Sequence, residues 1–214
     1  MPEQVQQPIP YIQEVLRKLI HLSSLWMVAV IWFFPWDIIV LFYIFATCLI
    51  LNMLLEYAYS CQVPVITPIY RFFFRKMLRN EVKRGQWVIS GGPPVWAAAA
   101  MVCLLFPQRI AAIALGVMLI ADTAAALIGR KYGKHKTANG KSVEGVIAFC
   151  VAGWIFSILL LYCGGLLTVF TFAGALAGVF LAALAELYEK QLHMDDNFSI
   201  PLVSGLVIWG SSFL

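Results

Sequence analysis

The stretch IAAIALGVMLIADTAAALI, residues 110–128, decides the fold class of this chain. Its one charged residue is Asp122, and an apolar run of roughly 20 residues is what a transmembrane helix requires. Comparable runs recur along a chain of 214 residues that is 62% hydrophobic and only 12% charged, whereas soluble domains carry about 25% charged residues. The sequence therefore predicts an all-α fold, a polytopic membrane protein.

Seven apolar runs follow one another with short connections between them. The predicted spans cover residues 19–34, 38–57, 87–106, 110–128, 143–162, 166–187 and 200–214. The last run has only 15 residues, so we predict about seven transmembrane helices and keep six as the alternative. Helical spacing over 11–22 predicts an interfacial helix that runs into the first span. Little length is left over, which predicts a single membrane domain for residues 1–214.

Glycine and proline interrupt the first half of the third span, at Gly91, Gly92, Pro93 and Pro94. Both residue types break helices, and irregular backbone at membrane depth survives only where protein or a water-filled cavity covers it. We therefore expect a kink or a break there. The polar stretch 60–84, which includes three consecutive phenylalanines, is predicted to lie partly on the membrane surface.

The basic residues fall on one side of the predicted membrane. The N-terminal segment and the loops after spans two, four and six hold 14 of the 15 lysines and arginines, and only Arg109 falls on the other side. The positive-inside rule predicts that this side is cytoplasmic, with the N-terminus inside. Nucleic-acid binding is disfavoured, because membrane spans separate the basic residues instead of one face collecting them.

Acidic residues within or next to membrane spans are costly and indicate a functional site. Five of them lie toward the basic side: Asp122, Glu144, Glu186, Asp195 and Asp196. Carboxylates hold hard cations such as Mg²⁺, which share their remaining positions with substrate phosphates. Lysines contact phosphate oxygens as point charges. The sequence therefore predicts a metal–polyphosphate site at one membrane face.

The 24 residues DTAAALIGRKYGKHKTANGKSVEG, from Asp122 to Gly145, concentrate these features. Asp122, Ala126 and Gly129 share one helix face, and small residues there permit close backbone approach. A glycine- and lysine-rich loop from Gly129 to Ser142 is predicted to bind an anion, with Ser142 in an N-cap position. Blander explanations stay open: the basic loop could be a topology signal, Asp122 could be structurally paired, and Glu144 could complement the helix dipole.

The chain resembles the CTP-dependent lipid-alcohol kinases, which include dolichol kinase, phytol kinase and CTP-dependent diacylglycerol kinase. The resemblance rests first on Asp122-x-x-Ala-x-x-x-Gly129-x-x-x-Gly133-Lys134-His135-Lys136, followed by Lys141-Ser142-x-Glu144-Gly145. Three more elements agree and extend it over about residues 17–201: Arg17-Lys18-x-x-His21, Arg79-Asn80-Glu81 with Gly85, and Glu186 with Asp195-Asp196-Asn197-Phe198-Ser199-Ile200-Pro201. Phosphatidate cytidylyltransferase shares the central pattern, but its C-terminal signature has no counterpart here, which favours the kinase.

The resemblance implies phosphoryl transfer from CTP, with Mg²⁺, to the hydroxyl of a membrane lipid alcohol of polyprenol, phytol or diacylglycerol type. The implied nucleotide contacts are Gly129, Gly133, Lys134, His135, Lys136, Lys141, Ser142 and Glu144. The candidate metal ligands are Asp122, Glu144, Glu186, Asp195 and Asp196, and the candidate bases are Asp122, Asp196 and His21. Cytidylyl transfer to a lipid phosphate and membrane transport remain as alternatives, and a homo-oligomer stays open.

Overall fold

The structure is a computed structural model that describes residues 11–68, 70, 92–137 and 139–214. Several predicted features therefore lie outside the described residues. These are the Arg79-Asn80-Glu81 element with Gly85, most of the polar stretch 60–84, residues 87–91 of the third predicted span, and Gly91 of its expected break.

The described chain is built from α-helices. In chain order they are α1 (Tyr11–Ser23), α2 (Leu25–Phe33), α3 (Ile38–Ser60), α4 (Gly92–Leu105), α5 (Gln108–Tyr132), α6 (Val143–Cys163), α7 (Val169–Leu187), α8 (Glu189–Leu192) and α9 (Asp196–Ser211). Over the described ranges the β-type pairing is confined to one isolated bridge between Lys136 and Ser142. The predicted all-α fold is confirmed.

Among the described residues, five segments are long and apolar enough to cross a membrane by length and composition. They are Val15–Phe33, Ile38–Ser60, Gln108–Tyr132, Val143–Cys163 and Val169–Leu187. The described part of the third predicted span, α4, is shorter, and α9 has 16 residues. The chain is thus a polytopic membrane protein, while the predicted count of seven spans stays a prediction.

A helix is present where the interfacial helix was predicted: α1 carries apolar side chains on its outer face, and its position at the membrane surface stays a prediction. The helix is interrupted at Ser24 and continues as α2. Where a break was expected in the third span, the described helix begins at Gly92, and Pro93 and Pro94 occupy its first turn. Proline is tolerated in a first turn because the amides there have no partner within the helix.

Two loop boundaries differ from the prediction. The basic loop was expected to begin at Gly129, but α5 continues to Tyr132 and ends at a Gly133 cap. Asp196 was expected in a loop after the sixth span, but it is the first residue of α9. In both places a polar helical turn has the composition of a loop, so a prediction from hydropathy alone makes the helix too short.

Helix α5 lies at the centre of the molecule. In its apolar window 72% of residues are buried, against 11% for α3 at the periphery. It packs against α1, α2, α4, α6 and α9, and its alanines and glycines allow that close packing. A polar side chain in the middle of α5 is therefore enclosed by other helices, and Asp122 is the acidic residue in this position.

Successive helices run up and down, so that alternate connections meet at the same end. At one end Gln108 Nε2 donates to the carbonyls of Ile31 and Phe34, each at 2.8 Å, and the Arg109 guanidinium lies 4.2 Å from the Trp32 ring centroid. The opposite end collects the start of α1, the end of α5, the start of α6, the end of α7 and the start of α9. This second end holds the candidate site.

Candidate active site

A cavity of about 390 Å³ opens where these helix ends meet. Within the part of the chain that the structure describes, nine charged side chains line it. The basic ones are Arg17, Lys18, Arg130, Lys136 and Lys141, and the acidic ones are Asp122, Glu186, Glu189 and Asp196. Such a mixture suits a ligand that is itself an anion with a bound cation, because the cavity offers partners to both charges.

Asp122 is held by two side chains of α1. Lys18 Nζ donates to Asp122 Oδ2 at 2.5 Å, and Lys18 is only 4% exposed. His21 Nε2 lies 3.3 Å from the same oxygen. Lys18 and His21 are three residues apart and so share one face of the helix. The polar inner face of α1 is thereby fixed to α5.

The His21 ring lies beside α5, near the backbone of Met118 and the carboxylate of Asp122. Its Nε2 is buried and lacks a hydrogen-bond partner among the described residues, so the approach to Asp122 is close but lacks hydrogen-bond geometry. A neutral imidazole carries a proton on one ring nitrogen and a lone pair on the other.

A short hairpin follows α5 and covers one side of the cavity. Lys136 and Ser142 form its bridge, and the Thr137 amide donates to the Lys141 carbonyl at 2.8 Å. The Gly140 amide donates back to the Thr137 carbonyl at 2.9 Å. Gly140 has a φ of +83°, which only glycine adopts at little cost. This tight turn sets the position of Lys141.

Lys141 connects the hairpin to the end of α7. Its Nζ donates to both the carbonyl and the Oε1 of Glu186, each at 2.8 Å, and lies 3.7 Å from Glu189. Burial acts to lower the pKa of Lys141, but the charges of Glu186, Asp196 and Glu189 outweigh it and the pKa is raised. The ammonium therefore stays charged.

Two glycines of the predicted loop, Gly129 and Gly133, allow α5 and α6 to pack closely. A Cβ on Gly133 would lie 2.6 Å from Ser142 Oγ and would collide with the Gly129 carbonyl. A Cβ on Gly129 would lie 2.8 Å from Ser142 Oγ. Ser142 is the predicted N-cap, and its Oγ accepts from the Gly145 amide at 3.1 Å. These residues let α5 and α6 meet closely around one cap.

Glu144 is turned toward the hairpin. Its Oε1 lies 2.8 Å from His135 Nδ1, and its carboxylate also accepts from the His135 backbone amide at 3.3 and 3.4 Å. The His135 side chain is 79% exposed. Glu144 therefore fixes the start of the hairpin and does not line the cavity.

The two aspartates before α9 have different surroundings. Asp195 caps the helix, because its Oδ1 accepts from the Asn197 amide at 2.9 Å. Asp196 lines the cavity. Burial, with the negative charges of Asp122, Glu189 and Asp195, raises the pKa of Asp196 to about 7. A nearby divalent cation would favour its ionised form.

The structure brings only part of the predicted site together. The predicted residues that line the cavity are Asp122, Gly129, Lys136, Lys141, Ser142, Glu186 and Asp196. Those that do not line it are His21, Gly133, Lys134, His135, Glu144 and Asp195. His21 nevertheless contacts Asp122, whereas Lys134 and His135 are exposed on the hairpin. The functional roles of all these residues stay predictions.

A magnesium ion fits the donors of this cavity. Asp122, Glu186 and Asp196 supply carboxylate oxygens to one space, and Mg²⁺ is usually bound by one or two carboxylates together with substrate phosphates and water. Over the described ranges no three His, Cys, Asp or Glu side chains form a ready metal cluster.

Sequence reasoning did not assign a site role to Lys18, Arg130 or Glu189, although all three line the cavity. For Lys18 a signal existed. It lies on an amphipathic helix at the spacing that puts it beside His21, and a buried lysine needs a partner. Arg130 was predicted to lie in a loop, where the direction of a side chain is not defined. In the structure α5 continues to Tyr132, so Arg130 lies on the helix.

Comparison with known proteins gives three relatives. An uncharacterised protein of Rickettsia prowazekii (strain Madrid E) is 29% identical over 198 residues, 88% of this chain and 90% of that protein. The phytol kinase of Synechocystis sp. is 32% identical over 108 residues, 49% of this chain and 45% of that protein. A probable chloroplastic phytol kinase 1 of Oryza sativa subsp. japonica is 32% identical over 129 residues, 55% of this chain and 41% of that protein.

This chain spans less than half the length of the two phytol kinases that it matches. No family model matches the chain, and no solved structure matches it. The similarity is that of distant homologues over about half the chain, and it supports a relationship with a lipid kinase family. It bears on neither the nucleotide nor the metal.

Proposed function

We propose that this protein is a lipid kinase, which transfers the terminal phosphoryl group of a nucleoside triphosphate to the hydroxyl of a membrane lipid alcohol. The observation that carries the proposal is the cavity itself, where basic and acidic side chains from five helices and the hairpin converge at one end of a membrane-spanning bundle. The distant similarity to proteins named phytol kinase supports the same reaction class. CTP as donor rests on the resemblance of the Asp122–Gly145 motif.

The polyphosphate would be gripped by the basic side chains of the cavity. Lys136 and Lys141 approach from the hairpin, and Arg130 from the end of α5. The N-terminus of α6, capped by Ser142, borders the same space and adds the positive end of a helix dipole. Phosphoryl transfer depends mostly on positioning and charge neutralisation, and these groups supply both.

Asp122, Glu186 and Asp196 are the residues that would hold Mg²⁺. The bound ion would neutralise charge that develops on the transferred phosphoryl group. All three carboxylates come from different helices, α5, α7 and α9, so the site forms only in the assembled bundle. Glu144 and Asp195 are engaged in capping and hairpin contacts and are weaker candidates.

His21 is the side chain best placed to accept the proton of the lipid hydroxyl. Its Nε2 is buried beside Asp122 and forms no hydrogen bond to a described residue. Asp122 already accepts a hydrogen bond from Lys18. A general base must present an unoccupied acceptor to the proton that it removes, and His21 Nε2 would meet that condition in the tautomer that carries its proton on Nδ1.

The acceptor would enter from the bilayer. His21 lies on α1 within the segment Val15–Phe33, deeper in the bundle than the hairpin. The phosphates would therefore come from the aqueous end and the hydroxyl from the membrane side of Asp122. By the distribution of basic residues, we propose that the aqueous end is cytoplasmic.

The experiment uses the full chain, purified in detergent, with Mg²⁺ and γ-labelled CTP or ATP. Phytol, a short polyprenol and diacylglycerol are offered as acceptors. We expect label in a lipid product with at least one alcohol, and more of it with CTP than with ATP. Absence of labelled lipid with every acceptor and both nucleotides would reject the kinase.

A parallel reaction with α-labelled CTP and phosphatidate separates the related alternative. Label in the lipid from the α position, with none from the γ position, would assign the protein as a cytidylyltransferase. We expect the opposite result, because the label of a kinase product comes from the γ-phosphate alone. Substrate flux in liposomes without any labelled lipid would instead support transport.

A further inference from the structure

Two lysines of the cavity are bound to two of the carboxylates proposed to hold the metal. Lys18 Nζ contacts Asp122 Oδ2 at 2.5 Å, and Lys141 Nζ contacts Glu186 Oε1 at 2.8 Å. The two pairs join different helices, α1 with α5 and the hairpin with α7. Asp122 and Glu186 are 7% and 8% exposed, so neither carboxylate can rely on water for its counter-charge.

These pairs satisfy a physical need of the folded protein. A buried carboxylate without a cation is costly, because removal of charge from water is not repaid. The ammonium groups of the two lysines offset that cost by supplying the opposite charge. They also occupy the carboxylate oxygens that a divalent cation would bind. A cation would have to displace the two ammonium groups, which would otherwise repel it at short range.

Lysine is suited to give up such a contact. Its ammonium is a point charge on a flexible stem with three rotatable donors. A polyphosphate in the same cavity would offer each ammonium new acceptors within its reach. The released carboxylate oxygens would then be open to the cation that the polyphosphate carries. The exchange keeps each charge paired throughout.

We propose that Lys18 and Lys141 hold the site carboxylates in place of the metal, and pass to phosphate oxygens when the nucleotide binds. The carboxylates therefore become available to a divalent cation only when phosphate is present. This inference rests on the proposed nucleotide site. It adds that the protein binds the metal and the nucleotide together, as one complex.

The test measures divalent cation binding directly. Mn²⁺ serves as the probe, and its free concentration is followed by electron paramagnetic resonance with the full chain in detergent. For the unaltered protein we expect weak Mn²⁺ binding alone, and binding at least about tenfold tighter with a non-hydrolysable CTP analogue. Lys18→Met and Lys141→Met should each tighten Mn²⁺ binding without nucleotide by about tenfold, because each leaves a buried carboxylate unpaired.

Lys136→Met is the matched control. Lys136 lines the same cavity, but within the described part of the chain it forms no ion pair with a carboxylate. The Lys136→Met substitution removes one positive charge from the cavity, as the other two substitutions do, but it leaves no carboxylate oxygen without its partner. If general electrostatics governed Mn²⁺ binding, all three variants would gain equally. We expect Lys136→Met to gain less than about threefold.

Two results would overturn the inference. One is Mn²⁺ binding to the unaltered protein that is as tight without nucleotide as with it. The other is a gain in Lys18→Met and Lys141→Met no larger than in Lys136→Met. If Lys18→Met does not fold, Lys141→Met decides alone, because Lys141 is partly exposed. A protein that shows the exchange but phosphorylates no lipid would reject the proposed reaction and leave this inference standing.

Discussion

Asp122 and Glu144 belong to one stretch of 24 residues, yet the protein treats the two carboxylates differently. Asp122 is buried in α5, and its partner Lys18 is 104 residues away in the chain. Glu144 opens α6, and its partner His135 is nine residues away on an exposed turn. One ion pair joins two helices in the interior, and the other closes a local hairpin.

The difference indicates separate tasks. A buried ion pair costs desolvation free energy and is weak evidence for stability alone, so its presence in the cavity points to use of the charge. An exposed pair is screened by water and salt and contributes little to stability. Asp122 is therefore the candidate for chemistry, and Glu144 the candidate for shaping the hairpin that carries Lys136 and Lys141.

The largest expected effect is that of Asp122→Asn. The substitution removes the charge but keeps the size, and we expect the rate of lipid phosphorylation to fall by roughly 10³-fold, since metal-based charge stabilisation is worth several kcal/mol. The assay is initial rate at saturating Mg²⁺ and CTP. Thr123→Val, at the next buried position, is the control and should keep most of the activity.

Asp122→Asn also leaves Lys18 buried without a counter-charge, so folding has to be measured by gel filtration and thermal melting. The double variant Lys18→Met with Asp122→Asn removes both charges and should recover stability without recovering activity. A single variant that keeps more than a tenth of the activity would show that Asp122 is only a structural partner of Lys18.

The next effect in size is that of His21→Gln. Glutamine keeps a polar side chain at this position, but it offers no basic nitrogen beside Asp122. We expect kcat to fall by at least about 10²-fold, the usual contribution of a general base, while KM for CTP changes by less than about threefold. A kcat within threefold of the unaltered enzyme would exclude His21 as the base.

The features that the sequence predicts are those that depend on residues close together in the chain. Apolar runs predicted α3, α5 and α6, and the N-cap at Ser142 was expected from its position before an apolar run. The end of α5 was readable too, because Gly133 is a better stop signal than Gly129 when Arg130 and Lys131 favour helix. These features depend on neighbours within a few residues.

The pairing of Lys18 with Asp122 could not be predicted in the same way. It depends on which face of α1 packs against α5, and that choice depends on all the other helices that surround α5. Gly133 shows both kinds of constraint, since a Cβ there would meet the Gly129 carbonyl on the preceding turn and also Ser142 Oγ beyond the hairpin. Long-range packing, which a single sequence does not display, fixes the site.

Gly133→Ala tests whether the region beside Glu144 holds its shape by packing. The added methyl group would overlap Ser142 Oγ and the Gly129 carbonyl. We expect a loss of about 1–3 kcal/mol in the free energy of unfolding, as for other overpacked sites, measured as a lower melting temperature in detergent. Gly210→Ala is the control, because a Cβ there meets no atom within 4 Å. Equal melting of both variants would contradict the packing role.

The smallest expected effect is that of Glu144→Gln, and it decides whether the two carboxylates differ as the structure indicates. Glutamine keeps one oxygen that can accept from the His135 amide, so the hairpin retains part of its anchor. We expect KM for CTP to rise by less than about tenfold, the scale of one charged hydrogen bond, and kcat to stay within about twofold. Glu144→Ala, which removes every acceptor, should raise KM further without lowering kcat. A fall in kcat of the size expected for Asp122→Asn would place Glu144 among the metal ligands, and the hairpin would then have to turn its carboxylate into the cavity during catalysis.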